Sequence, residues 1–175
     1  MGYPGEIASK IAPSNWKDYV RFQTVKACPL ARGESDVLRG KNTPTNEDPN
    51  EEGYHVLYPS GYEGWCPKAQ FEAVSRPIDG MTFGQALEVM KQGRKVTRRG
   101  WNNMDIWICI PLCDGPKEIP AMGIWGKPNA EYAEQNGGKV TVMPYITMKT
   151  ADGTIVMGWQ GLQEDILSDD WQIVE

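Results

Sequence analysis

Residues 81–103 read MTFGQALEVMKQGRKVTRRGWNN, and this stretch decides how the second half of the chain is built. Thr82 stands just before a helical pattern, with Gln85 three residues on. A Thr hydroxyl and a Gln amide at that spacing satisfy N–H groups that a helix leaves unpaired at its start. Phe83, Ala86, Leu87 and Met90 recur at helical spacing and form one apolar face. Gly93 supplies the stop, with Lys91 on the last turn, where the helix dipole favours a cation. Arg94 to Arg98 (RKVTR) predicts a short strand. Arg99-Gly100 then turns the chain into Trp101-Asn102-Asn103. The unit delivers cations, then a ring and two amides, a set suited to an anionic ligand that carries a flat ring.

Composition narrows the classes around that unit. The 175 residues suffice for one ordinary domain or two small ones. A net charge of −5 argues against nonspecific nucleic-acid binding, and RKVTRR is the one dense basic patch. Nineteen Gly and thirteen Pro fit many turns between short strands. Seven Trp are too costly to leave idle, so some should stack on rings or sit at interfaces. No apolar run is long enough to span a bilayer. The start, MGYPGEIASK, lacks the charged head and apolar core of a signal peptide. Cys28, Cys66, Cys109 and Cys113 read as reduced cytosolic cysteines, and no metal site is expected, because the lone His55 is far from the Cys109–Cys113 pair.

Outward from the opening stretch, residues 1–18 read as an irregular lead-in. Residues 19–77 read as a small α+β module, and 76–80 as a linker around Pro77. Within the module, 19–28 alternates as a strand, and 29–53 is a polar loop with acidic side chains in water. HVLY and YEGW form a hairpin about Pro59-Ser60-Gly61, and 67–75 is a short helix with Pro67 in its first turn. In the second unit, 81–175, residues 105–112 predict a buried strand and 113–138 a long Gly- and Pro-rich loop. Residues 139–149 predict a strand pair, or one strand broken at Pro144. Ala151-Asp152-Gly153 is a tight turn into a second arm at 153–159. A short helix from Leu162 to Leu167 and a last strand, Trp171 to Val174, complete a small antiparallel sheet with short helices, an α+β fold.

Three blocks of this second unit resemble a known family: MTFGQALEVMKQGRKVTRRGWN (81–102), PYITMKTADGTIVMGW (144–159) and LQEDILSDDWQIV (162–174). They are similar to the second family of Thoeris anti-defence proteins, small phage-encoded sponges. The resemblance implies binding without catalysis. The ligand would be a cyclic nucleotide immune signal, a cyclic ADP-ribose isomer for Thoeris and, for some members, cyclic oligonucleotides of related systems such as CBASS. It further implies a homotetramer with ligand sites between protomers, no cofactor, and work in the cytoplasm of an infected bacterium. Residues 53–77 resemble a short module that recurs in phage proteins ahead of such a domain.

A cyclic nucleotide presents a purine, riboses and phosphates. For the purine, Trp101 and Trp159 are the candidates, since each adjoins a turn and polar groups; packing in the core is the alternative for both. Trp171 reads as core or interface, and Trp125 as a lid or surface anchor. For phosphate, Arg98 and Arg99 offer paired charge-assisted bonds. They alternate faces on a strand, so at most one enters a pocket. For ribose hydroxyls and base edges, Asn102, Asn103, Asp152, Gln163 and Asp165 carry suitable groups. Asp152 equally suits a plain Asp-Gly turn. An enzyme that degrades the signal is the rival reading, but His55 has no Ser or Cys partner near it in sequence, and Asp169-Asp170 point apart on a strand. A host-protein binder using the acidic loop 42–52 is the third.

Overall fold

The computed structural model describes residues 22–102 and 105–174. The expected lead-in over 1–18, the first residues of the 19–28 strand and the candidate Asn103 lie outside the described residues. The front half is an antiparallel three-stranded sheet in the order β1 (Lys26–Pro29), β2 (Gly53–Leu57), β3 (Glu63–Pro67). The β2–β3 hairpin turns at Pro59–Gly61, as its sequence predicts, with Tyr58 N–H donating to the Tyr62 carbonyl.

The polar stretch 29–53 is not all loop. It holds α1 (Arg32–Leu38), started by an Ala31 N–H donating to the Glu34 carboxylate. Its acids are not simply in water either: Glu47 and Glu51 bind Arg32, which stacks over Trp65 at 4.3 Å. Polar residues that pair across a turn look the same, in composition, as polar residues in a loop. The strand expected at 19–28 is shorter, since 22–25 are not in a strand. α2 (Lys68–Val74) follows β3 directly, with Pro67 at its N-cap.

The linker does not hang free. Residues 78–81 run along the last strand of the second unit: Met81 and Trp171 exchange both backbone hydrogen bonds, and Ile173 N–H donates to the Ile78 carbonyl. Then α3 (Phe83–Lys91) starts at the expected box. Gln85 N–H donates to the Thr82 hydroxyl at 3.3 Å, and Thr82 N–H to the Gln85 amide oxygen at 3.0 Å. The helix stops where Gly93 takes φ +82°.

From α3 the chain enters β4 (Lys95–Arg98), a 3-10 turn at Arg99–Trp101, and β5 (Trp107–Cys109), shorter than the 105–112 strand expected. The next stretch corrects the reading of 113–138 as loop. It contains β6 (Lys117–Pro120) and α4 (Lys127–Gln135), packed beside β7 (Lys139–Val142). Pro128 in the first turn of α4 and Gly137-Gly138 after it are helix punctuation, not loop composition. With Ala133 its one buried residue, α4 lacks the apolar stripe that would have revealed it. Pro144 does break the 139–149 stretch: β7 pairs with β6, while β8 (Thr147–Lys149) joins the main sheet, so the two pieces are not a pair.

β9 (Ile155–Met157), α5 (Gln163–Ile166) and β10 (Trp171–Val174) finish the chain. The main sheet is antiparallel, in the order β10-β4-β5-β8-β9. α3 lies across β4 and β10, and Met81, Ala86, Val89, Met90, Val96, Ile108 and Trp171 form the core beneath it. The fold is α+β, as the sequence predicts.

Thr82→Ala removes one partner of the box that sets where α3 begins. It should cost about 1 kcal/mol, typical of an N-cap loss, seen as a lower urea midpoint with an unchanged slope.

Candidate functional site

The sheet order explains why Trp101 and Trp159 meet. Trp101 follows β4 through a single 3-10 turn. The turn closes with Asn102 in the left-handed region at φ 50°, which Asn tolerates better than most residues. Trp159 follows β9, and its N–H returns to the Ile146 carbonyl at 2.8 Å, drawing the chain back over the sheet. Trp171, fully buried at the start of β10, forms the floor between them. Its ring centroid is 5.2 Å from Trp101, 6.2 Å from Trp159 and 5.3 Å from Phe83. Trp101 and Trp159 are themselves 6.3 Å apart, edge to face, and both stay half-buried. The result is a cluster of four rings, of which Trp171 is fully buried and the other three are half-buried.

Below the rings lies a charged clamp. Arg98 Nη1 donates to Asp165 Oδ1 at 2.6 Å, and Arg98 Nε donates to Asp170 Oδ1 at 2.8 Å. Trp101 Nε1 donates to the same Asp165 oxygen at 2.9 Å, and Trp171 Nε1 donates to the Asp165 carbonyl at 2.9 Å. The other Asp165 oxygen takes the Leu162 N–H at the start of α5. Asp170 also accepts the Gly100 N–H at 2.7 Å. A side chain at Gly100 would put its first carbon 2.9 Å from the ends of both the Arg98 and the Asp170 side chains, so a larger residue there presses on the clamp. The Arg98 hydrogen bond, then that from Gly100, holds the Asp170 carboxyl below the usual range. The two carboxylates raise Arg98 in turn.

The two adjacent arginines part where β4 ends, since Arg98 is its last residue and Arg99 opens the 3-10 turn. Arg98 points inward, with its charge matched. Arg99 points outward, exposed, and gives one N–H to the Asp79 carbonyl at 2.6 Å; among the described residues no carboxylate pairs with it. Asn102 is exposed beside it, and Gln163 is exposed at the start of α5. Asp152 is not brought to the cluster. It sits at the far end of the β8–β9 hairpin, seven residues from Trp159, roughly 20 Å along extended chain. There it accepts from the Thr150 hydroxyl and from Thr154 N–H, and these bonds lower its pKa, the Thr150 bond most.

Sequence reading missed two members, Phe83 and Asp170. Phe83 looked like scaffold on the apolar face of α3, and Asp170 like part of a turn; nothing local to either residue marks its distant partner. His55 also gains what its neighbours in sequence lack. Its Nδ1 is 2.9 Å from the Ser35 hydroxyl and its Nε2 is 3.4 Å from Glu63. Ser35 is fully buried, however, with no surface from which a substrate could approach. Among the described residues no group of three or more His, Cys, Asp or Glu is placed to hold a metal ion.

Arg98→Ala leaves Asp165 buried and uncompensated and should cost about 3–5 kcal/mol, the range for breaking a buried pair. The acid limb isolates Asp170. Its lowered folded pKa contributes stability that is present above the unfolded carboxylate value of about 4 and is lost as pH falls through the folded value. Denaturant melts from pH 7 downward should therefore show Asp170→Asn less stable than the parent at neutral pH. The gap should narrow in acid.

The Tad2-like family profile, the Thoeris anti-defense 2-like domain, matches residues 81–174. Thoeris anti-defense 2 of Bacillus phage SP01 is similar to this chain, at 37% identity over 95 residues, which is 54% of this chain and 94% of that protein. The matched region opens at Met81, the residue that bridges to Trp171, and runs through β10; the front sheet lies outside it. Through the stretch that builds the ring cluster and its clamp, the chain belongs to the Thoeris anti-defense 2-like family.

Proposed function

We propose that this protein is a phage anti-defence sponge. It binds a cyclic nucleotide immune signal in the bacterial cytoplasm and withholds it from its effector without degrading it. The observation that carries this reading is the meeting of Trp101 and Trp159, 6.3 Å apart, beside an outward Arg99 that no carboxylate among the described residues pairs with. A purine stacks on such rings, at about 1–3 kcal/mol per base. A phosphate pairs with Arg99 rather than with Arg98, which already carries two carboxylates. Asn102 and Gln163 stand near for ribose hydroxyls and base edges.

The ligand class is a cyclic ADP-ribose isomer, with cyclic oligonucleotides as further candidates. The family name supports an anti-defence role, and the half-buried rings, open in part to solvent, support capture. Self-association completes the reading. Ile155, Val156 and Met157 are all exposed on β9, the edge of the main sheet left open among the described residues, and Leu162, Ile166 and Leu167 are exposed at α5. An uncharged apolar edge strand invites a partner. A homotetramer, in which a neighbour supplies the second wall of each site, uses that surface.

Incubating the signal with the protein, denaturing the protein and assaying the released material tests sequestration: active signal is expected, and a cleaved product would sink the reading. Trp101→Ala and Trp159→Ala should each weaken binding by about 10- to 100-fold, the equivalent of the stacking energy above. Arg99→Ala should weaken it about tenfold and flatten its salt dependence. Light scattering should give a mass well above one chain, and Val156→Lys should lower it.

A further inference from the structure

A cavity of about 760 Å³ lies between the front half and α3. That is within the roughly 300–1,000 Å³ typical of small-molecule sites, which favour junctions of this kind. One wall comes from residues outside the family match. There the rings of Tyr54 and Phe71 stack on each other at 4.3 Å and 23°, so that they line the cavity as one aromatic block, with Phe22 also on the lining. The opposite wall is the family domain itself: Met81 and Val89, both members of its core, with Gln85 and Gln92 on the outer side of α3. A protein that matches only residues 81–174 has one of these walls and not the other.

The charged groups lining the cavity contrast with the outward Arg99 beside the ring cluster. Among the described residues, Glu72 and Glu88 line it against a single guanidinium, Arg76. Glu72 accepts from the Tyr54 hydroxyl at 2.8 Å and Glu88 from Lys91 at 2.6 Å. Each carboxylate retains further acceptor positions. A phosphate entering here meets more negative than positive charge. A ring carrying N–H donors meets an aromatic wall, acceptors and the Gln92 amide.

We infer that this cavity binds a flat heteroaromatic ligand with amino donors, neutral or cationic and of nucleobase or nucleoside size, at a site separate from the Trp101–Trp159 cluster. The inference does not rest on the sponge reading, and either stands if the other fails.

Calorimetry of the full chain with adenosine and guanosine tests it. Saturable binding of at least one nucleoside is expected, with the matching 5′-monophosphate at least tenfold weaker. Val74→Trp and Gln92→Trp, both at exposed positions on the lining, should block the cavity and weaken binding at least tenfold. Glu88→Lys, also on the lining, should narrow the gap between nucleoside and monophosphate, while Trp101→Ala should leave nucleoside binding unchanged. Absence of saturable binding by both nucleosides overturns the proposal. So does a monophosphate that binds as tightly as its nucleoside, binding unaffected by both blocking variants, or binding lost with Trp101→Ala.

Discussion

The guanidinium of Arg98 joins parts of the chain nearly seventy residues apart, and most of the second unit is arranged about it. Its partners Asp165 and Asp170 lie on α5 and just before β10, so the clamp fixes the end of the chain against β4. The same Asp165 oxygen holds the Trp101 indole N–H, and its backbone carbonyl holds that of Trp171. Charge pairing and ring orientation are therefore set by one group. A buried ion pair is weak evidence for stability, because desolvation offsets most of the Coulomb attraction. What it supplies here is geometry: the rings cannot rotate without leaving a buried carboxylate short of donors, which costs more than the pair itself gains.

This division assigns the two neighbouring arginines different work. Adjacent residues at a strand end face opposite ways, so one sequence dipeptide yields an internal cation and an external one. The internal cation is satisfied by two acids. The external one is held by a neutral carbonyl, which restrains its position without neutralising its charge. A site that must hold an anion reversibly benefits from that arrangement, since the guanidinium is partly preorganised yet unpaired. The ring pair works alike: Trp171 is buried so that Trp101 and Trp159 are supported from behind while their own surfaces stay partly open.

Legibility in the sequence follows the range of the interaction concerned. The Thr82–Gln85 box, the Gly93 stop, the Pro59–Gly61 hairpin turn and the Asp152-Gly153 turn are local, and the pattern of residues gives each correctly. The elements that were misread, α1 and α4, are polar helices held by side-chain pairs or by one small buried residue, so they lack the periodicity that marks a helix. In the site, the convergence of Arg98, Trp101, Trp159 and Asp165 was reachable because each residue has chemistry that suits a nucleotide. Their roles were not reachable. That Arg98 faces inward and Arg99 outward depends on the register between β4 and β10, and on two aspartates whose positions in sequence say nothing of Arg98. Asp152 shows the converse. Its type suits a ligand, but the hairpin carries it to the far end and occupies it with its own turn.

The two edges of the main sheet are treated unequally, and this bears on what the front half contributes. β10 would be an open edge, but residues 78–81 pair along it and close it from within the same chain. β9, at the other edge, is left with three exposed apolar residues. An open strand edge pairs readily with another chain, so covering one edge directs association toward the other. On the sponge reading this matters twice. It directs any partner copy to β9, the strand that leads into Trp159. It also ties the residues just before α3 to β10 through backbone bonds rather than leaving them a loose tether, which keeps the link from the front half to α3 short.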